Sequence, residues 1–258
     1  MSAARPSIAI VVPCYNEADR LNPAEILRMA ATPEVRVLLV DDGSSDATAE
    51  VLTQLSEASE DVDWLPIRPN GGKAEAVRHG LHRVLDEGAA LVGYFDADLA
   101  TPVDEMIRLC HKLRANPDIH VVLGSRVALA GRTIDRHAGR HYAGRVFATV
   151  ASQILDEAIY DTQCGAKVFR STDALKGALS NPFNSRWAFD IELIGRLIIG
   201  TPHVPGIGIG RVREIPLRQW IDIPGSTIGL MDFVRTAFDM FKVSADLRRR
   251  RAALGKRD

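Results

Sequence analysis

The chain has 258 residues, 46% of them hydrophobic and 25% charged, which suffices for one large α/β domain with its own core or two small ones. A formal net charge of -1 gives it no general attraction to nucleic acid. Its three cysteines lie far apart and form no CxxC pair, which argues against a disulfide framework or a zinc site and fits a reducing cytosol.

The first half of the chain alternates strand-like and helix-like segments. Apolar, β-branched runs predict strands at residues 7–12, 35–40, 64–67, 91–95 and 120–123. Amphipathic runs predict helices at residues 24–31, at 47–55, after Gly72 and after Thr101. No run approaches the roughly 18 apolar residues of a membrane span, and the apolar start is a strand and not a signal peptide. This alternation with short connections predicts a parallel sheet flanked by helices.

The second half of the chain is less regular. Residues 137–159 and 187–199 predict helices, and residues 166–170 predict a strand. Residues 228–247 predict an amphipathic helix, because their apolar residues recur at i, i+3, i+4 and i+7. Residues 242–258 hold seven basic and two acidic residues, a net charge of +5.

The absence of internal repeats and of a clear linker indicates one domain. We predict that residues 1–227 form it. The C-terminal helix and basic tail, residues 228–258, either pack on the same domain or dock on an anionic membrane, to which basic residues are attracted.

Polar clusters follow four of the predicted strands at the points where they end. They are residues 15–17, 41–42, 96–98 and 125–126. In open α/β sheets, ligands bind beyond the carboxyl ends of the strands. We therefore expect these four clusters to converge on one crevice.

Asp96-Ala97-Asp98 directly follows the buried run at residues 91–95. Two carboxylates one residue apart suit Mg²⁺ or Mn²⁺, which take oxygen ligands from carboxylates and substrate phosphates. Such a metal neutralises a diphosphate leaving group. The alternative is a solvated loop with two acids, but the position at a strand end favours the metal site.

Two further groups suit a nucleotide. Asp42 follows another strand and can accept hydrogen bonds from a ribose or a base, although a helix entry is the alternative. Lys73 follows two glycines at a helix start, which suits a phosphate, with a surface lysine as the alternative.

Arginines are dense after the fifth predicted strand, and a guanidinium pairs bidentately with phosphate. They are Arg126, Arg132, Arg136, Arg140 and Arg145. Arg136 and Arg140 share a helix face, and a solvated basic face is the alternative. Asp161 and Asp190 are candidates for a general base or for a group that orients the acceptor. Each could instead cap a turn or pair with an arginine.

Together these motifs resemble those of the family 2 glycosyltransferases, and within them the dolichyl-phosphate β-glucosyltransferase branch with its bacterial relatives. The resemblance rests on stretches that span most of the chain. They are VVPCYNEADRL (11–21), LLVDDGSSDAT (38–48), NGGKAEAVRHG (70–80), YFDADLATP (94–102), GSR (124–126), DTQCGAKVFR (161–170) and RWAFDIELI (186–194).

This resemblance implies a GT-A fold, an α/β nucleotide-sugar-binding fold with a mostly parallel sheet. It also implies an inverting transfer of glucose from UDP-glucose to a polyprenyl phosphate. By motif, the nucleoside-binding set is Pro13, Tyr15, Glu17 and Asp42, and the diphosphate and metal set is Asp96 and Asp98. The positions facing the acceptor phosphate or the donor diphosphate are Arg126, Arg136 and Arg140. Asp190 matches the position often assigned as the base, with Asp161 as the other candidate.

The chain departs from its relatives in some respects. They usually carry a membrane helix, and they often carry a lysine where this chain has Thr227. Ala100 stands where mannosyltransferase relatives tend to have glutamine, which favours the glucosyl branch. We predict a cytoplasmic protein that contacts the cytoplasmic face of the membrane peripherally through residues 228–258.

Two other functions are compatible with the sequence. The first is a soluble glycosyltransferase with a small hydrophilic acceptor, such as a sugar phosphate or a secondary metabolite. The second is a non-catalytic nucleotide-binding protein, against which the intact Asp96 and Asp98 argue.

Overall fold

A computed structural model describes residues 8–127, 129–131, 133–134, 138–221 and 230–254, without the side chains of residues 138–146 and 230–237. Arg132, Arg136 and Thr227 lie outside the described residues. Arg140 and Arg145 lie in a helix, but their side chains are outside the description. The roles predicted for Arg136 and Arg140 therefore stay predictions.

Seven strands form the central sheet in the order β3-β2-β1-β4-β7-β5-β8. They are β1 (Ile8–Cys14), β2 (Val35–Asp41), β3 (Val62–Pro66), β4 (Leu91–Phe95), β5 (Val121–Ser125), β7 (Ala166–Arg170) and β8 (Val212–Pro216). β6 (Thr133–Ile134) pairs with β9 (Gln219–Trp220) in a separate sheet. Strand β7 is antiparallel to both of its neighbours, β4 and β5, whereas the other pairs are parallel.

Helices cover both faces of the sheet. They are α1 (Pro23–Ala30), α2 (Thr48–Ala58), α3 (Lys73–Asp86), α4 (Val103–Arg114), α5 (Ala138–Leu155), α6 (Asp173–Leu179), α7 (Phe189–Ile199) and α8 (Leu230–Leu254). Buried residues of α1, α2 and α4 pack on one face, and those of α3, α5, α6, α7 and α8 pack on the other. Within the described part of the chain, no helix combines the length and the apolar composition needed to cross a membrane.

The α3 helix packs very closely on the sheet. A Cβ added at Gly80 would lie 2.4 Å from Cγ1 of Val11 in β1 and 3.0 Å from Cγ2 of Val40 in β2. This close approach places the first turn of α3 beside the carboxyl ends of the central strands.

The predicted α/β class with a mostly parallel sheet is confirmed, but several elements differ from the prediction. The antiparallel direction of β7 was not predicted, because a five-residue apolar run does not indicate its direction. Strand β8 was not predicted, since it is only half-buried and lacks a continuous apolar run. Helix α6, which has only seven residues, was also not predicted. The C-terminal helix extends to Leu254, and its residues Met240 and Val243 are buried in the core.

Candidate active site

The loops that follow β1 and β2 are joined by hydrogen bonds. The Asn16 N–H donates to Ser44 Oγ at 3.0 Å, and the Ser45 N–H donates to Asn16 Oδ1 at 2.9 Å. The Glu17 N–H donates to Thr48 Oγ1 at 2.8 Å. Asn16 has a positive φ of 52°, a conformation that asparagine adopts more readily than most residues. These contacts hold the first two predicted clusters side by side.

The residues predicted to bind the nucleoside begin at the end of β1. Pro13 is half-buried within the strand, and Tyr15 is 49% exposed just after it. Glu17 pairs with Arg20 through Oε1 at 2.7 Å, while its buried Oε2 has no hydrogen-bond partner among the described residues. Burial raises the pKa of Glu17, although Arg20 opposes the shift. Glu17 therefore offers an unused acceptor oxygen, which suits a hydroxyl or N–H donor.

Asp42, after β2, holds the loop that leads into α3. Its Oδ1 accepts the Gly71 N–H at 2.8 Å and its Oδ2 accepts the Gly72 N–H at 2.7 Å. Asn70 Nδ2 donates to the Asp42 carbonyl oxygen at 2.7 Å. Burial raises the pKa of Asp42 even though the two amide hydrogen bonds lower it. A ribose or base that contacts Asp42 would donate to carboxylate oxygens that already accept the N–H groups of Gly71 and Gly72.

Lys73, the first residue of α3, reaches the end of β4. Its Nζ lies 2.6 Å from Oδ1 of Asp96. Desolvation lowers the pKa of Lys73, but the carboxylates of Asp96 and Asp190 outweigh it and leave the pKa above its ordinary value. The predicted phosphate-binding lysine is therefore a cation beside the predicted metal ligand.

The other residues of the DxD motif differ in their surroundings. Ala97 is buried in the hydrophobic core. Asp98 accepts the Ala100 N–H at 3.1 Å through Oδ1. Burial and the neighbouring Asp96 raise the pKa of Asp98. The two acids are thus close enough to repel each other, which a bound cation would relieve.

Gly165, just before β7, shapes the position of Asp96. The Asp96 N–H donates to the Gly165 carbonyl oxygen at 2.9 Å. A Cβ added at Gly165 would lie only 2.0 Å from Asp96 Oδ2 and 2.2 Å from its Cγ. The carboxylate occupies the space that any other residue would fill, so its orientation depends on a glycine here.

The carboxylate pair fits a divalent cation that shares its ligands with a substrate. Asp96 Oδ1 is a buried oxygen that is paired with the Lys73 amine at 2.6 Å. In the ranges that the structure describes, no group of three or more His, Cys, Asp or Glu side chains could hold a metal. Mg²⁺ and Mn²⁺ sites of one or two carboxylates are completed by substrate phosphates and water.

Arg126 and Asp161 form a buried ion pair. Arg126 donates to the carboxylate through Nε and Nη2, each at 2.8 Å, and its backbone N–H donates at 2.9 Å. Burial raises the pKa of Asp161, but Arg126 outweighs it and lowers the pKa to about 2. Such a weakly basic, fully bonded carboxylate is poorly suited to take a proton. Asp161 is therefore paired with an arginine, which is one of the alternatives that the sequence left open.

Glu214 on β8 supports this pair. Its two carboxylate oxygens accept the N–H groups of Tyr160 and Asp161 at 2.8 and 2.7 Å. The Arg126 guanidinium also lies 5.5 Å from the ring centroid of Trp220. With 17% of its side chain exposed, Arg126 is held mainly by protein partners. Its predicted contact with a phosphate stays a prediction.

Asp190, in the first turn of α7, is held from three sides. Its Oδ1 lies 2.8 Å from Lys167 Nζ and accepts a hydrogen bond from the Tyr94 hydroxyl. Gln163 Nε2 donates to Oδ2 at 3.3 Å. Burial raises the pKa of Asp190 to about 7, although Lys73 lowers it. A carboxyl with this pKa suits proton transfer near neutral pH.

The structure thus brings Lys73, Asp96 and Asp98 together and places Asp190 within electrostatic reach of Lys73. Several residues that shape this site were not predicted as members of it. They are Tyr94, Gln163, Gly165, Lys167 and Glu214. Of these residues, only Lys167 stood out in the sequence, as a lysine within the predicted strand AKVFR.

A mostly parallel sheet with paired carboxylates at the end of a central strand is the arrangement of a GT-A glycosyltransferase. The sequence pattern of Glycosyl transferase family 2 matches residues 9–175, more than half of the chain. The chain therefore belongs to Glycosyl transferase family 2, and the prediction of this family is confirmed.

Several similar proteins are named dolichyl-phosphate beta-glucosyltransferase. The dolichyl-phosphate beta-glucosyltransferase ALG5C of Trichomonas vaginalis is 31% identical over 247 residues, covering 91% of this chain and 69% of the relative. The dolichyl-phosphate beta-glucosyltransferase of Drosophila melanogaster is 34% identical over 245 residues, covering 86% and 69%.

A solved structure with the same fold is glucosyl-3-phosphoglycerate synthase from Mycobacterium tuberculosis in complex with UDP. Its TM-score is 0.64 at 17% identity, over 96% of this chain and 80% of that one. The same enzyme with Mn²⁺, UDP-glucose and glycerol 3-phosphate gives a TM-score of 0.60 at 18% identity, with the same coverage. At such identities the likeness concerns the fold, and the predicted GT-A fold is confirmed.

Proposed function

We propose that this chain transfers glucose from UDP-glucose to a polyprenyl or dolichyl phosphate, with inversion at the sugar carbon. The observation that carries the proposal is the carboxylate pair at the end of β4, with Asp96 oriented by Gly165 and paired with the Lys73 amine. The names of the relatives support the sugar and the acceptor.

In the proposed reaction an acceptor oxygen attacks the anomeric carbon as the bond to the UDP phosphate breaks. A divalent cation, held by Asp96 and Asp98, would neutralise the departing diphosphate. Lys73 is placed to add a second positive charge at the same point, because its amine already lies against Asp96. Arg126, fixed by Asp161, borders the same end of the sheet.

Acceptor chemistry determines what Asp190 does. A phosphate monoester is already ionised at neutral pH, since its second pKa is about 6, so it needs no base. In that case Asp190 orients the acceptor. A hydroxyl acceptor would need a base, and the pKa of about 7 suits Asp190 to that task.

This pKa supports a second candidate function, transfer to a hydroxyl of a small hydrophilic acceptor. The deciding assay compares polyprenyl phosphate with a panel of soluble hydroxyl acceptors, using UDP-glucose with Mn²⁺, with Mg²⁺ and with EDTA. Turnover of the lipid phosphate that EDTA abolishes supports the first function. Turnover of soluble acceptors alone supports the second, and metal-independent turnover contradicts the role given to Asp96 and Asp98.

Donor identity is tested separately by thermal shift with UDP-, GDP-, CDP- and TDP-sugars. A true donor stabilises the folded state by about 2.7 kcal/mol at a hundredfold excess over its Kd. Stabilisation by UDP-glucose and not by the other sugars is the expected result. A preference for GDP-mannose would contradict the proposed donor.

We also propose that the chain works on the cytoplasmic side of the membrane and touches it through residues 228–258. Phe238 and Phe241 of α8 are 61% and 71% exposed, and Lys242 lies 4.7 Å from the Phe238 ring. Exposed aromatic and basic side chains on one helix suit an anionic lipid surface. Flotation with anionic and neutral vesicles tests this, and equal binding of the wild type and a Phe238→Ser, Phe241→Ser variant would contradict it.

A further inference from the structure

Lys167 lies fully buried in the middle of the sheet. It belongs to β7, where it pairs with Tyr94 of β4 on one side and with Leu123 of β5 on the other. Lysine is rarely buried completely unless it is paired. Desolvation is strong enough to lower the pKa of the Lys167 amine to about 7. The desolvation of the Lys167 amine must therefore be offset by contacts with polar groups around it.

The contacts of Lys167 converge on Asp190. Its Nζ lies 2.8 Å from Asp190 Oδ1 and 2.5 Å from the Cys164 carbonyl oxygen. Its amine also lies 5.1 Å from the centroid of the Tyr94 ring, whose hydroxyl donates to the same Oδ1. Two donors from adjacent strands therefore hold one oxygen of the carboxyl, and Gln163 donates to the other oxygen at the longer distance of 3.3 Å.

We propose that Lys167 is a positioning residue, which together with the Tyr94 hydroxyl fixes the orientation and the charge of the Asp190 carboxyl. The inference rests on the proposed function, because the position of Asp190 matters for catalysis only if it faces the acceptor. The role of Lys167 itself concerns Asp190 alone and can be measured without any substrate.

The ionisation of Asp190 depends on groups from each element around it. Lys167 faces it from β7, Tyr94 from β4 and Lys73 from α3, and Asp190 itself lies in the first turn of α7. The helix N-terminus, the Lys73 amine and the donors of Lys167 and Tyr94 favour the carboxylate, while burial favours the neutral acid. Removing the Lys167 donor is therefore expected to raise the pKa of Asp190, since burial is left with less opposition.

The first experiment follows the ¹³C carboxyl signal of Asp190 by NMR as a function of pH, assigned with Asp190→Asn. In Lys167→Met the midpoint is expected to rise by about one pH unit or more, a tenfold change in proton affinity. Tyr94→Phe, which removes one donor, is expected to give a smaller rise. Lys176→Met, at an exposed position on α6, is the matched control and is expected to leave the midpoint unchanged.

A midpoint in Lys167→Met that matches the wild type would overturn the proposal. If Lys167→Met does not fold, as circular dichroism would show, Tyr94→Phe decides by itself. An unmoved midpoint in Tyr94→Phe would then overturn the role of the shared Oδ1 contact.

The second experiment measures kcat and KM against pH with UDP-glucose and the acceptor. Lys167→Met acts through Asp190, so it is expected to lower kcat by no more than Asp190→Asn does, with little change in the donor KM. The expected loss is modest with a phosphate acceptor and roughly tenfold or more with a hydroxyl acceptor, to which general acid–base catalysis applies. With the hydroxyl acceptor, the acidic limb of the kcat profile should move to higher pH together with the NMR midpoint. In an Asp190→Asn background, Lys167→Met should cost less than about twofold, since the two residues act as one unit.

An equal loss in both backgrounds would mean that Lys167 acts on something other than Asp190, and would overturn the proposal. If the wild-type protein transfers no sugar, the proposed function fails, yet the NMR titration still decides the role of Lys167. If transfer occurs and the NMR midpoint does not move, only the role of Lys167 fails.

Discussion

Replacing Gly165 with alanine tests whether the orientation of Asp96 controls the reaction. The added Cβ would lie 2.0 Å from Asp96 Oδ2, and Cβ contacts below 3.0 Å essentially do not occur. The carboxylate must therefore move by about 1 Å or turn to another rotamer. The displaced atoms belong to a side chain, so we expect the backbone and the fold to survive the change.

A misplacement of about 1 Å in a reacting group can cost roughly 100-fold in rate. We expect Gly165→Ala to lower kcat/KM by about that factor, which corresponds to about 2.7 kcal/mol of transition-state stabilisation. Affinity for UDP in the presence of Mn²⁺ should also fall, whereas affinity for UDP without metal should stay close to that of the wild type.

Calorimetric titration with UDP, with and without Mn²⁺, and steady-state kinetics measure these changes. The matched control is Gly210→Ala, because a Cβ at Gly210 meets nothing within 4 Å. If Gly165→Ala binds UDP with Mn²⁺ and turns over as well as Gly210→Ala, the orientation of Asp96 does not control the reaction. Equal losses of UDP affinity with and without metal would also count against this role of Asp96, since they would indicate damage beyond the carboxylate.

Three further predictions concern stability and acceptor chemistry. Asp161→Asn should destabilise the fold at pH 7 by roughly 3–5 kcal/mol, because it leaves a buried arginine without its carboxylate. The lowered pKa of Asp161, about 2, stabilises the fold above pH 4, and this contribution is lost as the pH falls toward 2. The difference in unfolding free energy between the wild type and Asp161→Asn, from urea titrations at pH 6 and pH 2.5, should therefore shrink by about 2 kcal/mol, and a constant difference would contradict the pairing. Gly80→Ala should cost about 1–3 kcal/mol by overpacking against the sheet, and an unchanged urea midpoint would contradict the close approach of α3. Asp190→Asn should slow transfer to a phosphate acceptor only modestly but transfer to a hydroxyl acceptor by at least about 100-fold, so similar losses with both acceptors would contradict the distinction between them.

The sequence was sufficient to predict the first half of the fold and the place of the paired acids within it. Strand β4 is a continuous apolar run, and the acids follow it directly, so the position of Asp96 and Asp98 at a strand end was predictable. Asp42 likewise follows the apolar strand β2, and Lys73 follows two glycines at the start of a helix. Each of these features depends on residues close together in the chain.

The remaining features depend on contacts between distant parts of the chain. The pattern AKVFR predicts a strand but not its direction, and only the antiparallel pairing brings Lys167 opposite Tyr94. In the same way, nothing near Arg126 in the chain indicates that Asp161 will neutralise it. The sequence left open whether Asp161 acts as a base or pairs with an arginine, and the structure shows the pairing.

The place of β7 in the sheet has a consequence for how the protein is made. Strands β1 to β4 are complete once the ribosome has synthesised the first 95 residues, and their pairings with one another all lie within that segment. Strand β5 is connected to β4 only through β7, which is made about 70 residues later. Strand β4 can therefore gain its second neighbour only after Ala166 and the residues that follow it have been synthesised.

Until then, strand β4 is an edge strand of the four-stranded sheet and has no partner on the side that β7 will occupy. During this time Asp96 lacks Gly165, whose carbonyl oxygen and missing side chain orient it, so the nascent chain exposes both acids before they can hold a cation with a nucleotide. Ribosome-bound chains that stop near residue 160 are expected to show no metal-dependent binding of UDP. Competence to bind a nucleotide with a cation would then arise only as the last strands are inserted.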